Sequence, residues 1–423
     1  MLPTSNLRKG RRGNTDQVGA NVVGVPANSD SKIVSFSRDL AETWADLVIV
    51  GAGLYGLTAA EVISREFNKR VLIIDQRSHI GGNAYSYFDE ETGIEIHKYG
   101  SHLFHTSNQR VHDYVSRFTK LNDYRHRVLT VARGRVYAMP INLMTINQFF
   151  GKSLTPTEAR EFIEQKAKVE SKNESPESLQ GKCIATIGRE LYEAFIAGYT
   201  QKQWQTDPKL LPADIINRLP VRFDFNDKYF QDTWEGLPLN GYEAWFLKML
   251  ENSQIKIALE TDFFQLRELL QNKKVIFTGP IDKYFDFSEG ELQWRTLDFD
   301  IAKLAIDDFQ GTSVMNYAEV EIPFTRIHEF KHLHPERVSR AGTIIMKEFS
   351  RKATRNDEPY YPVNSPADRE ILQKYREQSE KLVNVHFGGR LGTYQYLDMH
   401  MAIASALTWS KNHFERWFQA KSH

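Results

Sequence analysis

One stretch constrains this chain more than any other: Asp46-Leu-Val-Ile-Val-Gly51-Ala-Gly53-Leu54-Tyr-Gly56. Leu47 to Val50 is a short continuous apolar run, of the kind that forms a strand buried on both faces. Three glycines follow at once, and a helix-like pattern follows them. Gly51 permits a tight turn, Gly53 lets backbone approach a pyrophosphate, and Gly56 lets helix and strand pack closely. The helix N-terminus adds unpaired N–H groups for the anion. A second strand-like run, Arg70 to Ile74, ends in Asp75, 19 residues beyond Gly56 (75 − 56). An acid at about that distance suits a ribose hydroxyl. A glycine trio alone is weak evidence; with both strands and the acid in place it predicts a dinucleotide-binding βαβ unit.

The rest of the chain narrows the partners. Lys plus Arg is 54 and Asp plus Glu is 54 over 423 residues, so the balance of charge gives no support for a nucleic-acid partner. Cys183 is the only cysteine, so no intrachain disulfide can form and a cytoplasmic, reducing location is expected. No apolar run approaches the ~18 residues of a membrane helix, and no signal-peptide core stands near the start, so no membrane partner is expected.

The segments alternate in character. Residues 1–45, with Arg8-Lys9-Gly10-Arg11-Arg12, read as a disordered, polar and basic tail. Strand-like runs at Lys256–Leu259, Val275–Thr278 and Lys381–Phe387 return to the nucleotide theme. That domain is therefore expected to be discontinuous, over 46–106, 241–280 and 380–423. Residues 141–217 read as helical. Thr155-Pro156-Thr157-Glu158 has a capping-box form, Ser175-Pro176-Glu177 starts a segment similarly, and Ile184, Ile187, Leu191 and Phe195 make one apolar stripe. The remaining pieces, 107–140, 218–240 and 281–379, read as an antiparallel sheet domain, with a hairpin turning at Arg133-Gly134. The fold class is α/β: a discontinuous Rossmann-like domain with an inserted helical bundle and an antiparallel β-sheet domain.

Chemistry-bearing residues are fewer. The histidine groups His97/His102/His105 and His328/His332/His334 have no carboxylate or cysteine at ligand spacing, so no metal is expected. Gly-x-Ser-x-Gly is absent, which leaves a hydrolase nucleophile unsupported. Tyr199 and Trp204, in Gly198-Tyr-Thr-Gln-Lys-Gln-Trp204, read either as core aromatics with a polar tip or as a stacking platform. Arg218, Arg222, Arg295 and Arg326 favour the second reading, because a guanidinium fork suits phosphate.

These motifs resemble the bacterial-type UDP-galactopyranose mutases. The pieces that carry the resemblance are Gly51–Gly56, Ile80-Gly-Gly-Asn-Ala-Tyr85, His97–Thr106, Gly198–Trp204, Thr278-Gly-Pro-Ile-Asp282, Glu358-Pro-Tyr-Tyr-Pro362 and Gly388–His400. They stand in family order from about 46 to 410; the first 45 residues depart from it. The resemblance implies an isomerase (an intramolecular transferase) that interconverts UDP-galactopyranose and UDP-galactofuranose for glycan and cell-wall biosynthesis. It implies FAD, active as the reduced form, with flavin N5 forming a covalent adduct to the sugar's anomeric carbon and no net redox. For the cofactor it implies Gly51, Gly53, Leu54, Gly56, Asp75, Gly82, Asn83, His102, Leu103, Arg390, Leu397, Asp398 and Met399. For the substrate it implies His126, Tyr199, Thr200, Trp204, Arg218, Tyr229, Arg295, Arg326, Tyr360 and Tyr396. Arg218, Arg326 and His105 are the implied catalytic residues: two arginines on the departing diphosphate and a histidine beside the flavin ring. An electron donor such as NAD(P)H or a reductase is a further implied partner, and a homodimer or higher homo-oligomer is an open alternative to a monomer. The competing reading is an FAD-dependent oxidoreductase of the amine-oxidase type, which shares the first fingerprint but leaves Tyr199–Trp204 and the arginines unexplained. A non-catalytic nucleotide-binding protein is a second.

Overall fold

The computed structural model describes residues 32–213, 221–337 and 341–420. Its first layer is a five-stranded, wholly parallel sheet. The strand order is Val385–Phe387, Lys274–Phe277, Leu47–Val50, Val71–Ile74 and Ile255–Ala258. Leu47, Val48, Ile49 and the whole of Val71–Ile74 are buried, as a sheet covered on both faces requires. The helix Leu54–Phe67 covers one face and packs with Met399–Asn412. Leu40, Phe263, Leu270 and Tyr284 belong to the cluster on the other face.

The second layer is a seven-stranded sheet ordered Tyr361–Pro362, Trp294–Leu304, Thr343–Lys352, Arg326–Glu329, Val314–Tyr317, Val128–Ala132 and Arg135–Met139. All its pairs are antiparallel except one: Val314–Tyr317 runs parallel to Val128–Ala132. The expected antiparallel sheet is thus mixed at the point where a distant segment joins it. The hairpin turns at Arg133 and Gly134, both at positive φ. The helices Leu143–Phe150, Pro156–Glu170 and Leu179–Ile187 form the insert. Ile184, Ile187, Leu191 and Phe195 are all buried in its core, and Thr155 and Glu158 make the expected capping box.

Several expectations are corrected. The expected tail ends earlier than 45 within the described part. Ile33 bridges Ile257 at the open edge of the parallel sheet, and Leu40–Trp44 forms a helical turn that buries Leu40 and Ala41. Alternating polar residues mask this in the sequence. Residues 1–31 lie outside the described residues. The helix expected from Ser175 starts instead at Leu179, where the Ser178 side chain accepts from Gly181 N–H. Segment 107–140 is split: Gln109–Val115 is a helix whose Val111, Tyr114 and Val115 join the nucleotide-domain core. In 218–240, the described part has one strand, Trp234–Gly236, and it pairs with Phe104–Thr106 rather than with the large sheet. Pro366–Ser379 is a capped helix packed on the strand Val385–Phe387. No helix among the described residues is long and apolar enough to cross a membrane.

Candidate active site

Two cavities lie between the layers. The first, about 440 Å³, is lined by the glycine turn, Asp75, Arg77, Gly82, Asn83, Thr278 and the 355–359 segment. The second, about 290 Å³, is lined by His105, His126, Tyr199, Thr200, Tyr229, Arg326, Glu348 and Tyr360, among others. His102, Arg390, Leu397 and Met399 line both, so the cavities meet at these residues.

Backbone builds the first cavity. Gly51 has φ +106°, and a Cβ there would stand 2.0 Å from Thr278 Oγ1. A Cβ on Gly56 would stand 2.1 Å from the Gly51 carbonyl oxygen, so helix and turn can touch only through glycine. Gly53 differs: a Cβ there meets nothing closer than Gly82 Cα at 3.9 Å. Protein packing does not demand glycine at 53. A ligand approaching the backbone would. Gly53 is also the N-cap of the first helix and offers it no side-chain cap, so first-turn N–H groups stay available for an anion.

Polar groups in this cavity await a partner. Asn83 Nδ2 is buried without a hydrogen bond, while Asn83 Oδ1 accepts from Arg77 Nη2 at 2.9 Å. Asp75 accepts from Ala52 N–H at 2.7 Å and Arg77 N–H at 2.9 Å. That leaves about half of its roughly four lone-pair positions for a ribose hydroxyl. Burial raises its pKa. Arg390 makes no salt bridge among the described residues; burial, with Arg77, pulls its guanidinium down from the usual range, and the hydroxyls of Tyr361, Tyr396 and Tyr360 oppose this. Glycine cradle, orphaned amide and uncompensated cation fit a dinucleotide with an anionic or carbonyl-rich ring system.

Side chains build the second cavity, and they come from distant segments. Arg326 stands at the start of its strand with Nε 3.2 Å from Glu348 Oε1, and its Nη2 donates to the Tyr199 hydroxyl. Glu348 and Tyr199 hold the Arg326 proton more firmly than usual despite burial. Glu348 in turn is held down to about 2, with burial opposing and Arg326 and His328 favouring its charge. His328 bridges Glu348 and Ser101, at 3.1 and 2.8 Å. His126 is buried, pushed down to about 3 by burial, and hydrogen-bonded to the Tyr124 hydroxyl at 2.9 Å. His105 Nδ1 lies 2.7 Å from Asp232 Oδ2, and Phe230 stacks on its ring at 3.7 Å. Thr200 and Tyr360 are buried at the rim; Tyr229 is exposed; Tyr396, Leu103 and Asp398 complete the lining.

Two expected substrate residues, Trp204 and Arg295, are not brought into this cavity, and a third, Arg218, lies outside the described residues. Trp204 packs on the helical core. Arg295 is buried and spends Nε on the Gln203 carbonyl at 3.1 Å and Nη2 on Ser350 Oγ at 3.2 Å, fastening the end of the Gly198–Trp204 helix. Its place in the sequence does not reveal that partner, which is 92 residues away. Conversely, sequence reasoning missed Asn316, whose Oδ1 is buried without a partner and whose strand position pairs with Arg326. It also missed Asp232 and Glu348. Each is legible only through its long-range pairing. Ligand atoms of His105, Asp398 and His400 lie within 4.8 Å of one another, as do those of Asp308, Glu329 and His332. In the first group His105 Nδ1 is already engaged by Asp232.

The fold and paired cavities define an α/β protein with a Rossmann-like nucleotide cradle and an adjoining, arginine-containing pocket. The family described as UDP-galactopyranose mutase matches residues 194–396, and an NAD(P)-binding Rossmann-like family matches 49–118. The chain is 41% identical over 363 residues to a Klebsiella pneumoniae protein named probable UDP-galactopyranose mutase, covering 86% of this chain and 93% of that one. It is 39% identical over 366 residues to the Escherichia coli dTDP-fucopyranose mutase, covering 85% and 96%. A crystal structure of reduced UDP-galactopyranose mutase superposes with a TM-score of 0.68 at 14% identity, over 88% of this chain and 94% of that one, which bears on the fold alone. The chain belongs to the UDP-galactopyranose mutase family.

Proposed function

We propose that the protein interconverts UDP-galactopyranose and UDP-galactofuranose with reduced FAD as its cofactor and no net redox. The observation that carries this is the adjacency of the two cavities: a glycine-built dinucleotide cradle adjoins, across His102, Arg390, Leu397 and Met399, a pocket holding Arg326. When bound and reduced, the flavin supplies a nucleophilic N5 toward the anomeric carbon; the cofactor carries the hard chemistry, as the lack of a side-chain nucleophile suggests.

The chain's own residues handle charge and position. Arg326, kept protonated by Glu348, receives negative charge as the diphosphate departs. Glu348 cancels much of that cation's charge, so a second cation is called for; Arg218 is assigned this role. Holding the nucleotide close favours its return to the rearranged sugar. Tyr199 and Thr200 face the nucleoside, and Tyr229, Tyr360 and Tyr396 supply hydroxyls. Asp232 holds the His105 ring through Nδ1. NAD(P)H or a reductase supplies the electrons.

The test is direct. The purified protein, reduced with dithionite, should convert UDP-galactofuranose to UDP-galactopyranose, seen by chromatography, and the oxidised protein should not. Equal rates in both states would sink the reading. The 39% identity to a dTDP-fucopyranose mutase supports a second substrate reading, so dTDP-fucose belongs in the same assay. Turnover of dTDP-fucose alone would reassign the sugar nucleotide and keep the mechanism. Reduction of the flavin by an amine with no sugar nucleotide present would favour the oxidase alternative.

A further inference from the structure

We infer that Lys202 is a positioning residue for the nucleotide: its ammonium locks the helix that carries Tyr199 and Thr200 onto the hairpin that carries Asn316 and Arg326. This rests on the mutase reading above.

Lys202 Nζ donates to three backbone carbonyls: Tyr317 at 2.7 Å, Phe324 at 2.9 Å and Ile322 at 3.0 Å. An ammonium has three donors and no acceptor, so it is fully spent. The three acceptors straddle the connection between two adjacent strands. Tyr317 ends the strand containing Asn316, and Phe324 lies two residues before Arg326. Asn316 and Arg326 are themselves register partners, and Tyr317 N–H donates to the Thr325 carbonyl at 3.0 Å. One side chain thus gathers both legs of the hairpin beneath the helix. Tyr199 stands three residues earlier on the same helix, a spacing that puts it on the same face, and it accepts from Arg326. Gly198 makes the approach possible, because a Cβ there would stand 2.3 Å from the Ala318 carbonyl oxygen.

The chemistry chosen for this contact is costly for mere stability. Lys202 is partly buried and makes no salt bridge among the described residues; Glu319 and Glu321 act on it only at a distance. Burial pulls it down to about 8. An apolar side chain of similar length would avoid that penalty, but would leave three carbonyls without their shared donor. What only a cation with three donors supplies is convergence of three carbonyls from one loop, and therefore a fixed distance between the nucleoside-facing helix and the diphosphate-facing arginine.

The test compares Lys202→Met, Lys202→Gln and Lys202→Arg with wild type, in the flavin-loaded protein. The readouts are calorimetric titration with UDP and with dTDP, steady-state kinetics, flavin content and thermal midpoint. Lys202→Met should weaken binding of the better nucleotide about tenfold or more and raise KM in step, a loss that matches one charge-assisted contact. Flavin content should hold, and kcat should change far less than KM. Lys202→Arg should restore most of the affinity, with Lys202→Gln between. If Lys202→Met does not fold, the Gln and Arg pair decides: equal, wild-type affinity in both overturns the inference. So does a folded Lys202→Met with wild-type nucleotide affinity, or one whose thermal midpoint falls while its affinity does not. Wild-type protein that binds neither nucleotide would instead remove the functional reading itself, an outcome visible before any variant is made.

Discussion

The two cavities are made in different ways. The cofactor cavity is framed by main chain: a turn at Gly51, a contact between Gly56 and the Gly51 carbonyl, and a parallel bridge between Gly53 and Gly81. The arginine-containing cavity is framed by side chains from separate stretches, several of them held by side chains far along the chain. Arg326 depends on Glu348 and Tyr199; His105 depends on Asp232, 127 residues away. A backbone-built site should fail when a Cβ is added and tolerate loss of side-chain charge. A side-chain-built site should do the reverse.

The largest expected effect is at Arg326. Arg326→Ala should lower turnover about 10²-fold or more, roughly 2.7–4 kcal/mol of transition-state stabilisation, while flavin content stays near wild type. Near-normal turnover would break the comparison on the substrate side. Arg326→Lys should recover little, because an ammonium cannot reproduce the fork held between Glu348 and Tyr199.

Next come the glycines, where two neighbours should behave differently. Gly56→Ala puts a Cβ 2.1 Å from a carbonyl oxygen and should cost the fold itself, by several kcal/mol in denaturant titration if it folds at all. Gly53→Ala has room within the protein, and its backbone at φ −76° suits alanine. Its thermal midpoint without cofactor should stay near wild type, while FAD affinity, measured by fluorescence on release, should drop. Unchanged FAD affinity in Gly53→Ala would show that the pyrophosphate does not approach there.

A smaller effect sharpens the electrostatic half. Glu348 is held at about 2 against an ordinary value of 4.5. A carboxylate depressed in the folded state contributes stability that is present above its unfolded pKa and lost as pH falls through the folded one. Unfolding free energy should therefore decline between about pH 4.5 and 2. Glu348→Gln should be less stable at neutral pH, because Arg326 loses its counter-ion, and should show a shallower acid decline. An unaltered acid slope would remove Glu348 as the partner that holds the arginine.

The same contrast explains what could be read in advance. The cofactor cradle is local in sequence: strand, glycines, helix and acid fall within thirty or so residues, and hydrophobic period and glycine spacing speak directly about backbone. The burial of Val71–Ile74 and the stripe Ile184 to Phe195 were legible for the same reason. Much of the substrate cavity was not. Arginines were visible as a type, yet nothing in the chain separates Arg326, which reaches the cavity, from Arg295, which fastens a helix end to Ser350. Trp204 carries the same aromatic signal as Tyr199 and packs against the helical core instead. Asn316 acquires meaning only once its strand is set beside Arg326. The segment 32–45 is short and rich in polar residues, so its place along the edge of the parallel sheet becomes clear only in the fold.

In the proposed reaction a reduced flavin and a nucleotide diphosphate meet across the residues shared by both cavities. The measurement that tests it most directly is a crystal structure of the reduced, flavin-loaded protein with UDP-galactopyranose. The diphosphate should lie on Arg326 and the hexose between it and the flavin ring, beside His102, Arg390, Leu397 and Met399. A diphosphate bound away from Arg326, or a flavin ring that leaves no space for a hexose at that junction, would contradict it.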